Sequence, residues 1–148
     1  MISFCGKTSD RIHVFQLTKG EYLLEEIQKG IDKENIKNGI VITGLGTLDR
    51  CVMHSVVTMT MPVENRYHTW ENEPIGVSAM NGVIANGQPH IHMVISTYTG
   101  EEQTYSGHLE NGTRVLCRME VAVLEIEDIR LERMLDENGV EILRKVED

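Results

Sequence analysis

Apolar positions along this chain follow first one period, then another, then return to the first. Residues 11–17 (RIHVFQL) alternate roughly one for one, the pattern of a strand with a single buried face. Residues 20–38 (GEYLLEEIQKGIDKENIKN) switch to helical spacing. Leu23, Leu24, Ile27 and Ile31 fall on one face, and Gly39 offers a C-terminal stop. Glu21 suits the positive end of the helix dipole and Lys37 the negative end, while Gly30 in the interior costs roughly 1 kcal/mol against alanine.

Beyond the helix the period returns to two. Residues 40–43 form a short apolar strand, and after Gly44-Leu45-Gly46 a longer run covers residues 48–61. The Gly-x-Gly reads as a bend or bulge, because the rest of a dinucleotide-binding fingerprint is missing. Residues 61–74 are polar, contain two prolines and read as a loop. Strands follow at 76–85, 90–98, 103–109 and 113–126, with turn chemistry at Asn86-Gly87, Gly100 and Asn111-Gly112. Residues 131–135 and 140–146, around Glu137-Asn138-Gly139, read as either a hairpin or a frayed charged tail. With one helix and no strand–helix alternation, the expected fold is α+β, an antiparallel sheet with a single amphipathic helix packed on it. It is expected as one domain over residues 1–148, with a core of about 11–128.

Bulk composition narrows the function. The chain has 148 residues, 41% of them hydrophobic and 25% charged, which suits a globular domain with its own core. Its 14 basic residues against 23 acidic ones give a formal charge of -9. That lowers the expectation of direct DNA binding, which draws its affinity from cations on phosphates. Cys5, Cys51 and Cys117 are widely spaced and odd in number, which suits reduced thiols. No secretory leader pattern occurs, nor any apolar run near the ~20 residues of a membrane helix. A cytoplasmic protein without a membrane span is expected.

Candidate chemistry concentrates in the string PHIHM. On a strand, His90 and His92 project to one face while Ile91 and Met93 turn to the other. If a three-residue loop, Thr99-Gly100-Glu101, joins the strands at 90–98 and 103–109, His92 lies directly opposite His108, with Cβ atoms about 5 Å apart. His90 then sits on the diagonal. A two-residue loop would shift the register and turn His108 away. Three neutral imidazoles suit Zn2+ or another divalent transition metal, with a coordination position left over. The bland alternative is two exposed histidines on a solvated strand face and a third capping a turn. His54 lies on the alternating run LDRCVMHSV and is a further candidate for the cluster, although ordinary packing is the preferred reading. His13 and His68 read as surface or hydrogen-bonding residues. Glu71 and Glu73 beside Trp70 are weak general-base candidates and read more readily as solvated loop acids.

The stretch NGVIANGQPHIHMVISTYTGEEQTYSGHLENGTRVLCRMEVAVLEI, residues 81–126, resembles the plant-and-prokaryote-conserved (PPC) domain. The family pattern is a His-x-His strand, a Gly-His-Leu after the next turn, a further glycine and a closing Glu-Val strand. Upstream, Gly20-Glu21 opening a helix and Gly44-x-Gly46 leading into a strand agree, so the resemblance covers about residues 11–128. It implies an antiparallel sheet fold assembled as a homotrimer, and places the family's metal-associated histidines at His90, His92 and His108. It also brings a DNA-binding label, because plant relatives join the domain to AT-hooks. This chain contains no Arg-Gly-Arg-Pro hook, and EPIGVSAM stands where the plant Gly-Arg-Phe-Glu-Ile-Leu stretch would be. The leading expectation is a stand-alone prokaryotic-type protein that binds a metal and recognises a small ligand or a protein partner, with a regulatory output. A metal-dependent hydrolase or lyase is one alternative, and DNA binding is the other.

Overall fold

A computed structural model describes residues 1–146 of the chain. The elements run β1 (Lys7–Thr18), α1 (Leu23–Glu34), β2 (Gly39–Val56), β3 (Asn65–Ala85), β4 (Gln88–Thr97), β5 (Gln103–Leu109), β6 (Arg114–Glu127), β7 (Leu131–Leu135) and β8 (Glu141–Lys145). Six strands form one antiparallel sheet in the order β1-β6-β2-β3-β4-β5, and β2 pairs a second time, with β5. That extra pairing closes β2, β3, β4 and β5 into a ring. The fold is α+β, and the one helix among the described residues packs on the sheet.

Helix α1 buries Leu23, Ile27 and Ile31, the face set by their spacing. It ends earlier than Gly39. Asn35 adopts the left-handed conformation (φ 56°), and the Ile36 amide donates to the Ile31 carbonyl at 3.0 Å, so the stop falls at Glu34. Gly30 has a packing reason, since a Cβ there would stand 3.0 Å from the Phe15 ring. Its propensity cost makes room for an aromatic neighbour on β1.

Two expectations need correction. The strands expected at 40–43 and 48–61 are one strand, β2, with pairing irregularities against β6 between Val41 and Thr43 and between Gly46 and Leu48. Gly44-x-Gly46 therefore lies within a strand with bulge-type irregularities, one of them directly after Gly46. The loop expected at 61–74 is also shorter, because β3 begins at Asn65 and pairs through Arg50↔Glu71 to Val56↔Asn65 with the end of β2. The first ten residues of β3 are largely exposed on both faces, so they carry no apolar alternation to announce a strand. Pro74 lies in the irregular stretch where the register jumps from Leu48↔Ile75 to Arg50↔Glu71, a place where a missing N–H is harmless.

The closing segment forms the β7–β8 hairpin, in register from Leu131↔Lys145 to Leu135↔Glu141. Residues 147 and 148 of the expected tail lie outside the described residues. The buried Asn38 side chain ties the hairpin's start to the body, donating to the Ile129 carbonyl (2.7 Å) and accepting from the Leu131 amide (3.0 Å). Ala85, Ile129 and Leu131 make a small second core beneath it.

The main core lies between α1 and one face of the sheet and includes Leu48, Ile75, Ile91, Met93, Ile95 and Val121. The opposite face is apolar and open. Registers Ile12↔Leu124, Leu124↔Ile40, Ile40↔Val83 and Val83↔His90 place one row across five strands. Ile12, Val14, Ile40 and Ile42 on this face are 64%, 70%, 42% and 49% exposed. The row ends at a histidine. Cys5 and Cys117 are exposed free thiols and Cys51 is buried. Among the described residues no helix is long and apolar enough to cross a membrane.

Candidate metal centre

The β4–β5 hairpin has the register that joins the histidines: Thr97 faces Gln103, and His92 faces His108. Ile91 and Met93 are buried, so the pleat sends His90 and His92 to the other face. Their rings stack 5.3 Å apart, nearly parallel at 9°. The His108 ring stands edge-on to both, 4.6 Å from His90 and 5.4 Å from His92. One nitrogen from each of the three lies within 4.8 Å of the others. Ligand nitrogens around tetrahedral zinc are roughly 3.3 Å apart, so modest ring rotations would close the set on an ion.

Electrostatics suit the same role. Partial desolvation, then Arg133 and His92, lowers the His90 pKa, and partial desolvation followed by His54 lowers that of His92, although both side chains keep an exposed edge. His108 is moved furthest, down to about 4, by burial first and then by His90 and His54. All three rings are therefore neutral near pH 7, with a lone pair to offer and no proton to displace.

The ring closure of the sheet adds two groups to the three expected ligands. β2 pairs with β5 through Met53↔Leu109 and His54↔His108, setting the His54 ring 4.5 Å from that of His108. His54 Nδ1 is 2.6 Å from Glu110 Oε1, which is itself 4.0 Å from His108 Nε2. His54, His108 and Glu110 make a second group able to hold an ion, overlapping the first at His108. So His54 belongs to the site's wall and is not merely packed on its own strand. Glu110 had a readable signal, because His108-Leu109-Glu110 repeats the alternation of His90-Ile91-His92. For His54 the alternating run offered the cluster only as the lesser alternative, since its neighbour comes from a pairing between strands about fifty residues apart.

Gly107 permits this closure. A Cβ there would lie 2.7 Å from the His54 carbonyl oxygen, so only glycine lets β5 approach β2 this closely. The resulting cleft, about 360 Å3, is lined by His54, His90, His92 and His108 together with Ser106 and Gly107.

The other candidates are engaged elsewhere. His13 is buried, with Nε2 3.3 Å from Glu125, and His68 stacks on Trp70. Glu71 pairs with Arg50, and Glu73 accepts a hydrogen bond from Thr99. Neither glutamate serves the histidine cleft.

An antiparallel sheet closed around an apolar core, with a histidine cleft on its opposite face, defines a small β-rich domain with a metal-type donor set. The sequence model of the Plants and Prokaryotes Conserved (PCC) domain matches residues 6–127, and the chain belongs to that family. No curated protein sequence matches it. Solved structures share the fold. A metal-containing protein from Archaeoglobus fulgidus is 21% identical, with a TM-score of 0.79 over 96% of this chain and 98% of that one. A PPC protein from Pyrococcus horikoshii is 21% identical, with a TM-score of 0.78 over 99% of each chain. A candidate DNA-binding protein from Bacteroides thetaiotaomicron is 15% identical, with a TM-score of 0.76 over 95% and 96%.

Proposed function

We propose that this protein holds a divalent transition metal, zinc by preference, through His90, His92 and His108, and uses the remaining coordination position to recognise a small ligand or a partner. The observation that carries this reading is the convergence of three neutral imidazoles from β4 and β5 on one cleft. Three nitrogen ligands suit zinc and leave one position open. The metal-containing Archaeoglobus protein of the same fold supports the assignment. The ion supplies Lewis acidity when bound, and Glu110 beside His54 adds a carboxylate at the cleft wall. We further propose a cytoplasmic homotrimer assembled through the open apolar face, for which the exposed row from Ile12 to Ile40 is the support. DNA recognition, suggested by the Bacteroides protein, fits less well, because a charge of -9 per chain opposes approach to a polyanion.

Elemental analysis of protein purified without added metal tests the reading. About one ion per chain is expected in the wild type, and His92→Ala loses most of it, since two imidazoles hold zinc poorly. Undiminished metal in a protein with all three histidines replaced by alanine would refute it.

A further inference from the structure

His90 and His92 also line a second pocket, of about 320 Å3. Its sheet side is formed by Val83, His90 and His92, and its other side by Arg133, Glu141 and Leu143. The last three belong to the β7–β8 hairpin, beyond residue 127, where the match to the family ends. The hairpin thus brings side chains of its own to the histidines.

Arg133 is the informative one. Its Nη1 donates to the Gln88 carbonyl at 2.9 Å and its Nη2 to the Val83 carbonyl at 2.8 Å. Carbonyl oxygens orient a guanidinium without neutralising it. Among the described residues Arg133 has no ion-pair partner, and Glu141 acts on it only at longer range. Burial acts against its charge and lowers its pKa, so among the described residues this half-buried cation has only the more distant Glu141 as counter-charge. The two carbonyls take two of the five guanidinium N–H groups, and the others are the donors an oxyanion would use. Beside it, Val83 and Leu143 offer an apolar wall. Glu141, the one carboxylate of the lining, opposes a second negative charge.

We propose that this pocket binds a small organic monocarboxylate, with its carboxylate on Arg133 and its carbon chain against Val83 and Leu143, beside His90 and His92. The proposal rests on the reading of the histidine cleft as a ligand site, but it does not require the ion. Metal content and carboxylate affinity are separate measurements, and either reading can fail alone.

Butyrate titrated into isotope-labelled, metal-free protein, followed by amide NMR shifts, provides the test. Saturable shifts are expected around Gly82, Val83, His90, Arg133 and Leu143. Neutral butyramide should produce none, and inorganic phosphate, which lacks the carbon chain and carries more charge, should bind more weakly. Arg133→Gln should weaken butyrate by roughly tenfold or more, the scale of a lost charge-assisted pair. Glu141→Gln should tighten it. Arg133 also holds the hairpin in place, so the butyramide comparison and the Glu141→Gln variant carry the test if Arg133→Gln does not fold. Equal binding of butyramide or phosphate, unchanged affinity in a folded Arg133→Gln, weaker or unchanged binding in Glu141→Gln, or shifts confined to another surface would each overturn the proposal.

Discussion

At the residue scale, the histidines couple the site to pH. His108 is neutral in the folded chain down to about 4, whereas an unfolded histidine takes up its proton near ~6.5. Between those values the unfolded state binds more protons, so the metal-free fold loses stability as pH falls through that window. His90 and His92, also lowered, add in the same direction. The melting temperature of metal-free protein should therefore fall from pH 6.5 to pH 4 by more in the wild type than in His108→Gln. Equal slopes would show that the neutral His108 ring contributes nothing. Above the window, the unprotonated rings should hold an added ion without a protonation penalty.

At the scale of elements, the site depends on how closely β5 can lie against β2. A methyl group on Gly107 would meet the His54 carbonyl at 2.7 Å, and backbone has little room to move there. Gly107→Ala should cost about 1–3 kcal/mol in urea unfolding and reduce metal retention at the same time. Loss of stability with full retention would separate the β2–β5 closure from the metal centre. The helix stands apart from this chemistry. Ile27 is fully buried on the other side of the sheet, so Ile27→Ala should cost roughly 2–5 kcal/mol and leave metal stoichiometry unchanged in the folded fraction. Equilibrium unfolding with parallel metal analysis checks both variants.

For the whole molecule, the open sheet face is the feature that asks for a partner. Ile12, Val14, Ile40 and Ile42 form a contiguous apolar surface, larger than scattered exposed residues would produce. Light scattering should return three times the chain mass, and the pair Val14→Glu with Ile42→Glu should reduce it to one. A monomer mass for the wild type at every practical concentration would rule out the assembly. Charge acts at the same scale, since -9 per chain accumulates with each subunit. Any binding to duplex DNA should be weak at low salt and absent by ~150 mM. Fluorescence anisotropy with AT-rich and GC-rich duplexes measures it, and tight, salt-resistant discrimination between them would reverse the reading.

Local pattern was enough for much of this architecture. The helical face of Leu23, Ile27 and Ile31, the meander of strands and the pairing of His92 with His108 follow from period, turn residues and loop length, which act over a few positions. Where the pattern was silent, the interactions were long-range or solvated. The β3 side of the arm is largely exposed on both faces, so no burial imposed alternation on residues 65–73. The helix stopped at Asn35 because a left-handed residue with backbone bonds to the preceding turn ended it before Gly39 could. His54 joined His108 only because β2 curves far enough to pair with β5, and Arg133 reached the pocket only because Asn38 anchors the hairpin's start. The three histidines on β4 and β5 are thus a property of alternation along neighbouring strands. Their wall of His54 and Glu110, and the cation facing them, exist only once distant segments have packed.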